Sequence, residues 1–286
     1  MTAIIHDQLD QIRRFVGGSR RIEPGFHQAK VVSVCTRKGG VGKTTTAVNL
    51  AAGLASKHGK KVLLVDMDAQ GHCGTALHNV LRGATPDSVS AVVLGKRREL
   101  QEVALPTGVS GLWVTPSDKG LNATEGIMAG RIGKEFLLRS AMKVTRTHYD
   151  VIVIDCPPNL GNLTLNALMA SDSVLIPCDM SVLSLEGVSD ILETVDTLDE
   201  SLGHTLRVLG ILRTRFDRRN QKVNQTVESS LKERHGALVL NTRIPVNTRL
   251  SQAQNAGQPI FQFDPDCRGS AAYGEALEEL VVRLRL

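Results

Sequence analysis

Two kinds of apolar pattern alternate along this chain. Short continuous runs of Val, Ile and Leu at 31–34, 61–66, 149–155, 173–177, 206–212 and 238–242 read as strands buried on both faces of a parallel sheet, with a shorter strand at 112–114. Between them the apolar residues fall at helical spacing. Ala47, Leu50, Ala51 and Leu54 form one such face; Leu185, Val188, Leu192 and Val195 form another, behind the capping candidate Ser184. Tyr273, Leu277, Leu280, Val281 and Leu284 make a stripe near the C-terminus, and residues 73–81, 132–145, 161–170 and 221–235 also read as helical. Strand and helix in alternation predict an α/β fold, a doubly wound, mostly parallel sheet with helices on both faces. Residues 30–286 read as one such domain. Residues 1–29 read as a flexible basic extension, with a short helix over 7–16 and a Gly17-Gly18-Ser19-Arg20-Arg21 link. Its arginines, Arg13, Arg14, Arg20 and Arg21, are candidates for DNA or a partner, with a solvated tail as the alternative; the segment is too short for a helix-turn-helix domain.

The first strand runs directly into Lys38-Gly39-Gly40-Val41-Gly42-Lys43-Thr44-Thr45, and the first helical pattern follows. Strand, glycine-rich loop and helix in that order suit a phosphate-binding loop. Glycines let backbone N–H groups turn onto phosphates, and the helix N-terminus adds partial positive charge. Lys43 is placed to reach the outer phosphates and the Thr44 hydroxyl to ligate Mg²⁺. The usual pattern has a glycine five places before Gly42, where this chain has Arg37; a second lysine, Lys38, opens the loop instead.

Two further strands end in carboxylates. Asp155 closes the run at 149–155 and can hold Mg²⁺ through water beside the loop. Asp66 and Asp68 close the run at 61–66, two residues apart, so strand alternation would put both on one face, aimed at a nucleotide.

With its two lysines the loop resembles the deviant Walker-A loop of the ParA/MinD family of dimerising ATPases, and the chain resembles the ParA (Soj-like) branch, a class of P-loop NTPase. The likeness extends from about residue 30 to the C-terminus and is densest at 37–50, 62–71, 149–168 and 244–269. It implies that ATP and Mg²⁺ are bound by residues 38–45, with Thr44, Asp66 and Asp155 at the metal. Asp68 would position or activate the attacking water. Lys38 would cross to the nucleotide of a second subunit, so that ATP builds a homodimer and hydrolysis dissolves it. Pro245 and Asn247 would lie beside the adenine. Arg213, Arg215, Arg218, Arg219, Lys222 and Arg249 would form a surface for non-specific DNA. The resemblance further implies a ParB-like or other partner that stimulates slow hydrolysis, and a nucleoid-associated cytoplasmic protein that places a chromosome, a plasmid or a protein complex. The chain departs from the family at Ala69, where proline is usual, at His72, where asparagine is usual, and at Val246, where arginine is common.

Composition narrows the alternatives. A formal net charge of +5 permits an anionic partner. The five cysteines, Cys35, Cys73, Cys156, Cys178 and Cys267, form no C-x-x-C pair, which reads against a zinc site, a disulfide framework or an iron–sulfur relative. No run approaches the roughly 18 apolar residues of a membrane span, and no signal-peptide pattern opens the chain. A MinD-like membrane ATPase is the alternative, but the polar face of the last helical stripe carries Glu275, Glu278 and Glu279, unlike a basic membrane-seeking helix. Residues 83–110 carry no functional assignment.

Overall fold

The computed structural model describes residues 28–84 and 87–286. The helix expected over 7–16 and the basic link after it lie outside the described residues, as do residues 85 and 86. Eight strands form one sheet: β1 (Lys30–Val34), β2 (Val62–Asp66), β3 (Leu105–Pro106), β4 (Leu112–Thr115), β5 (Val151–Asp155), β6 (Ser173–Asp179), β7 (Arg207–Phe216) and β8 (Val239–Pro245). Their spatial order is β3-β4-β2-β5-β1-β6-β7-β8. Every neighbouring pair is parallel except β3 with β4. The doubly wound α/β class predicted from the pattern is the class observed.

Strand alternation divides the core in two. On β5, Val151 and Val153 face one apolar cluster while Ile152 and Ile154 face the other. The first cluster is covered by α1 (Lys43–His58) and by the C-terminal α11 (Arg268–Leu284), whose Tyr273, Leu277, Leu280 and Leu284 are buried in it. The second is covered by α6 (Asn162–Met169) and α7 (Val182–Leu202). The remaining helices are α2 (His72–Ala76), α3 (Val89–Val93), α4 (Gly120–Ala129), α5 (Leu137–Ala141), α8 (Gln221–His235), α9 (Thr248–Asn255) and α10 (Ile260–Phe263). With so few aromatics the core is aliphatic; the half-buried Trp113 meets Tyr149 edge-on, 5.6 Å between ring centres.

The elements depart from the sequence pattern in three informative places. The helix expected over 132–145 is broken into a 3₁₀ turn at Lys134–Phe136, α5, and a second turn at Thr145–Thr147. Glu99 draws Thr145 out of the helix by accepting from its N–H (3.1 Å) and its hydroxyl (3.0 Å). α7 starts earlier than Ser184 predicts: Ser181 is its N-cap residue, and the Ser184 hydroxyl donates instead to Asp179. Finally, β7 and β8 run past their expected ends, to Phe216 and Pro245, so Arg213 and Arg215 belong to a strand.

The sheet's outer strands end differently. β3 has two residues and finishes at Pro106. On β8 the Glu279 carboxylate of α11 accepts from the N–H of Asn241 (3.0 and 2.9 Å) and of Thr242 (3.3 Å).

Candidate active site

The C-terminal ends of the parallel strands open onto a cleft of about 490 Å³, lined by the loop Gly39–Thr45, by Asp68, Gln70, His72 and Pro158, by Thr214 and Arg215, and by Ile244–Asn247 with Leu250, Ser251, Gln254 and Tyr273. Ligands of open α/β sheets bind at this edge. The loop is shaped by Gly40 (φ 74°) and Gly42 (φ 92°), both in the left-handed region where a Cβ is disfavoured. Gly42 is the N-cap residue of α1 and has no side chain to cap it, so the first N–H groups of that helix remain for a ligand.

Behind the loop the polar groups are buried and bound to one another. Asp66 and Asp155 are in register on adjacent strands β2 and β5, and both are fully buried. Asp66 accepts from the N–H of Asp68 and of Cys73, each at 3.0 Å. Asp155 Oδ2 accepts from the Thr44 hydroxyl at 2.6 Å and the Cys73 thiol at 3.4 Å, while Oδ1 is buried without a hydrogen-bond partner. Burial pushes the Asp155 carboxyl up to about 6, against the hydrogen bonds from Thr44 and Cys73 and the charge of Lys43. It pushes Asp66 well above the carboxylate range too, with the charge of Asp155 adding to it. Two carboxylates crowded out of water with one orphaned oxygen favour a cation. Thr44, Asp155 and Asp66 offer hard oxygen donors, which fit Mg²⁺. Lys43, itself buried, donates to the Lys38 carbonyl at 2.9 Å; burial lowers its pKa, opposed by Asp155.

The expectation that Asp66 and Asp68 share one face is corrected. β2 ends at Asp66, so alternation stops there. Asp68 lines the cleft and accepts from the Gln70 N–H at 3.0 Å, while Asp66 is fully buried and is not among the lining residues. Lys38 is likewise not among the lining residues. Its ammonium donates to both oxygens of Asp179 (3.1 Å each) and to the Ser181 hydroxyl (2.7 Å). Burial would raise the Asp179 carboxyl; bonds from Ser184, Ser181 and Lys38 outweigh it and hold the carboxyl below its usual range. Neither Asp179 nor Ser181 was anticipated. A carboxylate closing a parallel strand, as Asp155 does, was the signal available.

Pro245 and Asn247 are both lining residues of the cleft. Asn247 also caps α9, its side-chain oxygen accepting from the Arg249 N–H at 2.8 Å. The basic cluster divides. Arg213 is corrected: it is 3% exposed, paired with Glu228, and donates to the carbonyls of Leu240 and Asn241 at 2.7 Å each, so it braces β7 against α8 and β8 and does not face solvent. Arg215 is exposed, but its guanidinium is turned to the Gly40 carbonyl at 3.0 Å. Arg218, Arg219 and Lys222 are exposed, Arg219 pairing with Asp217 at 2.8 Å. Arg249 is exposed and pairs with Asp264 at 2.8 Å.

Comparison with known proteins places these features. A family model described as an AAA domain matches residues 29–208. The chain is 39% identical over 257 residues to the chromosome partitioning protein ParA of Myxococcus xanthus, covering 89% of this chain and 88% of that one. It is 39% identical over 251 residues to the sporulation initiation inhibitor protein Soj of Bacillus subtilis, covering 88% and 98%. Among solved structures it is similar to cobyrinic acid a,c-diamide synthase of Mycobacterium smegmatis with bound ADP and magnesium, at a TM-score of 0.75 and 30% identity, covering 90% and 96%.

Proposed function

For a chain that belongs to the ParA branch of the ParA/MinD family of deviant Walker-A ATPases, we propose a nucleotide-controlled positioning switch. ATP binding builds a homodimer, the dimer holds non-specific DNA, and hydrolysis, stimulated by a ParB-like or other partner, releases it. The cargo is a chromosome, a plasmid or a protein complex placed on the nucleoid.

The observation that carries this reading is the position of Lys38. It opens the phosphate loop, yet it is bound to Asp179 and Ser181 outside its own cleft. A loop lysine that does not serve its own nucleotide suits delivery to the nucleotide of a second subunit. There its charge would stabilise negative charge spreading over the γ-phosphoryl oxygens.

Within one subunit, placement supports the remaining roles. The N–H groups of residues 39–45 and the Lys43 ammonium bind the phosphates. Asp68, on the cleft wall, orients the attacking water. Thr44, Asp66 and Asp155 hold Mg²⁺, which when bound neutralises charge on the outer phosphates. Pro245 and Asn247 flank the base. Arg218, Arg219, Lys222 and Arg249 supply exposed cations for the phosphate backbone of DNA, contacts that position without reading sequence. The apolar stripe of α11 is buried in the core, which favours DNA over a membrane as the surface the switch controls; no helix among the described residues is long and apolar enough to cross a membrane.

The test is binding to non-specific duplex DNA without nucleotide, with ADP and with ATP, using Asp68→Ala to hold the ATP state. Binding is expected with ATP alone. Failure to bind in any state would reduce the basic face to a solvated surface.

A further inference from the structure

At its C-terminal end β7 breaks the rule of its own alternation. Adjacent side chains on a strand point to opposite faces, yet Thr214 and Arg215 reach neighbouring atoms of the same loop. The Thr214 hydroxyl donates to the Val41 carbonyl at 2.7 Å, and Arg215 Nη1 donates to the Gly40 carbonyl at 3.0 Å. The backbone at Arg215 makes this possible: its φ is 51°, in the left-handed region that a long side chain rarely adopts. A conformation of that kind persists only where the surroundings impose it, and such positions cluster at ligand sites. The strained residue is an exposed arginine on the cleft wall. Its partner is a neutral carbonyl, which occupies one of five N–H donors.

The other cations at the loop are already placed. Lys43 is buried behind it, and Lys38 is bound to Asp179 and Ser181. Arg37, at the start of the loop, pairs with Asp190 and does not line the cleft; among the described residues that do line it, Arg215 is the exposed arginine at the phosphate loop. A guanidinium exchanges a carbonyl for a phosphate readily, because phosphate oxygens carry negative charge and can accept two parallel N–H bonds from the planar fork.

We propose that Arg215 is a nucleotide-binding residue of this chain, not a member of the DNA surface. In the free subunit its guanidinium rests on the Gly40 carbonyl; when a nucleoside di- or triphosphate enters, the guanidinium turns onto its phosphate chain. The inference rests on the phosphate-loop reading and is independent of the DNA reading.

ADP binding to the full chain, measured calorimetrically for wild type, Arg215→Gly and Arg215→Lys at low and high salt, tests it. Glycine accepts the left-handed backbone without penalty, so the melting temperature of nucleotide-free Arg215→Gly is expected to stay level or rise. ADP affinity is expected to fall about tenfold, the loss of one bond between charged groups. Arg215→Lys should recover part of it, and the gap between wild type and Arg215→Gly should narrow with salt. Equal ADP affinity in wild type and Arg215→Gly overturns the proposal. So does lost affinity accompanied by a lower melting temperature, which would make Arg215 a brace for the loop. If wild type does not bind ADP, the phosphate-loop reading falls and takes this inference with it.

Discussion

The two halves of the cleft are built on opposite terms. On the loop side, Lys43, Asp66 and Asp155 are buried, and Thr44 is fastened to Asp155. Asp155 is held by Thr44 and Cys73, Asp66 by the N–H groups of Asp68 and Cys73, and Lys43 by the Lys38 carbonyl, so each buried polar group has a fixed partner. On the β7–β8 side the charges are set by chain geometry one at a time. Neighbours in sequence have unrelated fates: Arg213 is inside, Arg215 is on the loop, and Arg219 is in solvent paired with Asp217. A site assembled from mutually dependent buried groups shows itself in residue spacing. A run of like charge does not, because the strand beneath it decides which side chains reach water.

The contrast can be broken by substitution, starting with the strongest effect. Lys43→Ala should remove nucleotide binding: a lysine making more than one charge-assisted bond, each worth about 1.5–3 kcal/mol, supports a loss of about 100-fold or more. Calorimetry with ADP reads it, and retained affinity would mean the two halves have been assigned the wrong way round. Next, Arg213→Ala should lower stability by about 3 kcal/mol, the range for removing one partner of a buried ion pair. Arg219→Ala, six residues along, should leave the melting temperature unmoved. Equal effects in the two variants would erase the distinction drawn between them.

A smaller effect concerns pH. The carboxyl of Asp155 is raised in the folded chain to about 6. Between its ordinary value and about 6 the folded state therefore holds a proton that the unfolded state has released, and stability falls as pH rises through that window. Asp155→Asn removes this loss. Its melting temperature without nucleotide should gain on wild type as pH goes from about 4 to 7, and Mg²⁺ should protect wild type alone. A constant difference across that range would show that Asp155 carries no raised carboxyl. The smallest expected change belongs to Arg219→Glu. It should weaken DNA binding in the ATP state by about tenfold and flatten its salt dependence, with nucleotide affinity intact.

The fold was legible where pattern and burial coincide. The runs at 62–65 and 151–154 have alternate residues in two cores, so they are apolar throughout and cannot be mistaken for half-exposed strands. The placing of Lys43 and Asp155 beside the loop was legible because it follows from fixed offsets from glycines and strand ends. What the sequence did not disclose is where a strand stops. β2 ends at Asp66 and separates it from Asp68, whereas β7 continues under a charged stretch and buries Arg213. Charged residues normally mark a strand's end, but Arg213 has a carboxylate and two carbonyls to offset its burial, although its Nε is left without a partner. Asp179 was missed for a related reason: its importance lies in what it holds, and only Lys38, more than a hundred positions away, reveals it.

The two borders of the sheet have a consequence for crowded conditions. A protein gathered on a shared surface meets copies of itself often, and an unpaired strand is a template for joining chains backbone to backbone. Here one border is too short to serve, two residues ending in a proline that has no N–H to give. The other has its outward donors at Asn241 and Thr242 already spent on Glu279. Both borders thus offer less to a pairing strand than a bare edge would. The homodimer proposed above would then use side-chain surfaces, which can be formed and dissolved without unravelling the sheet.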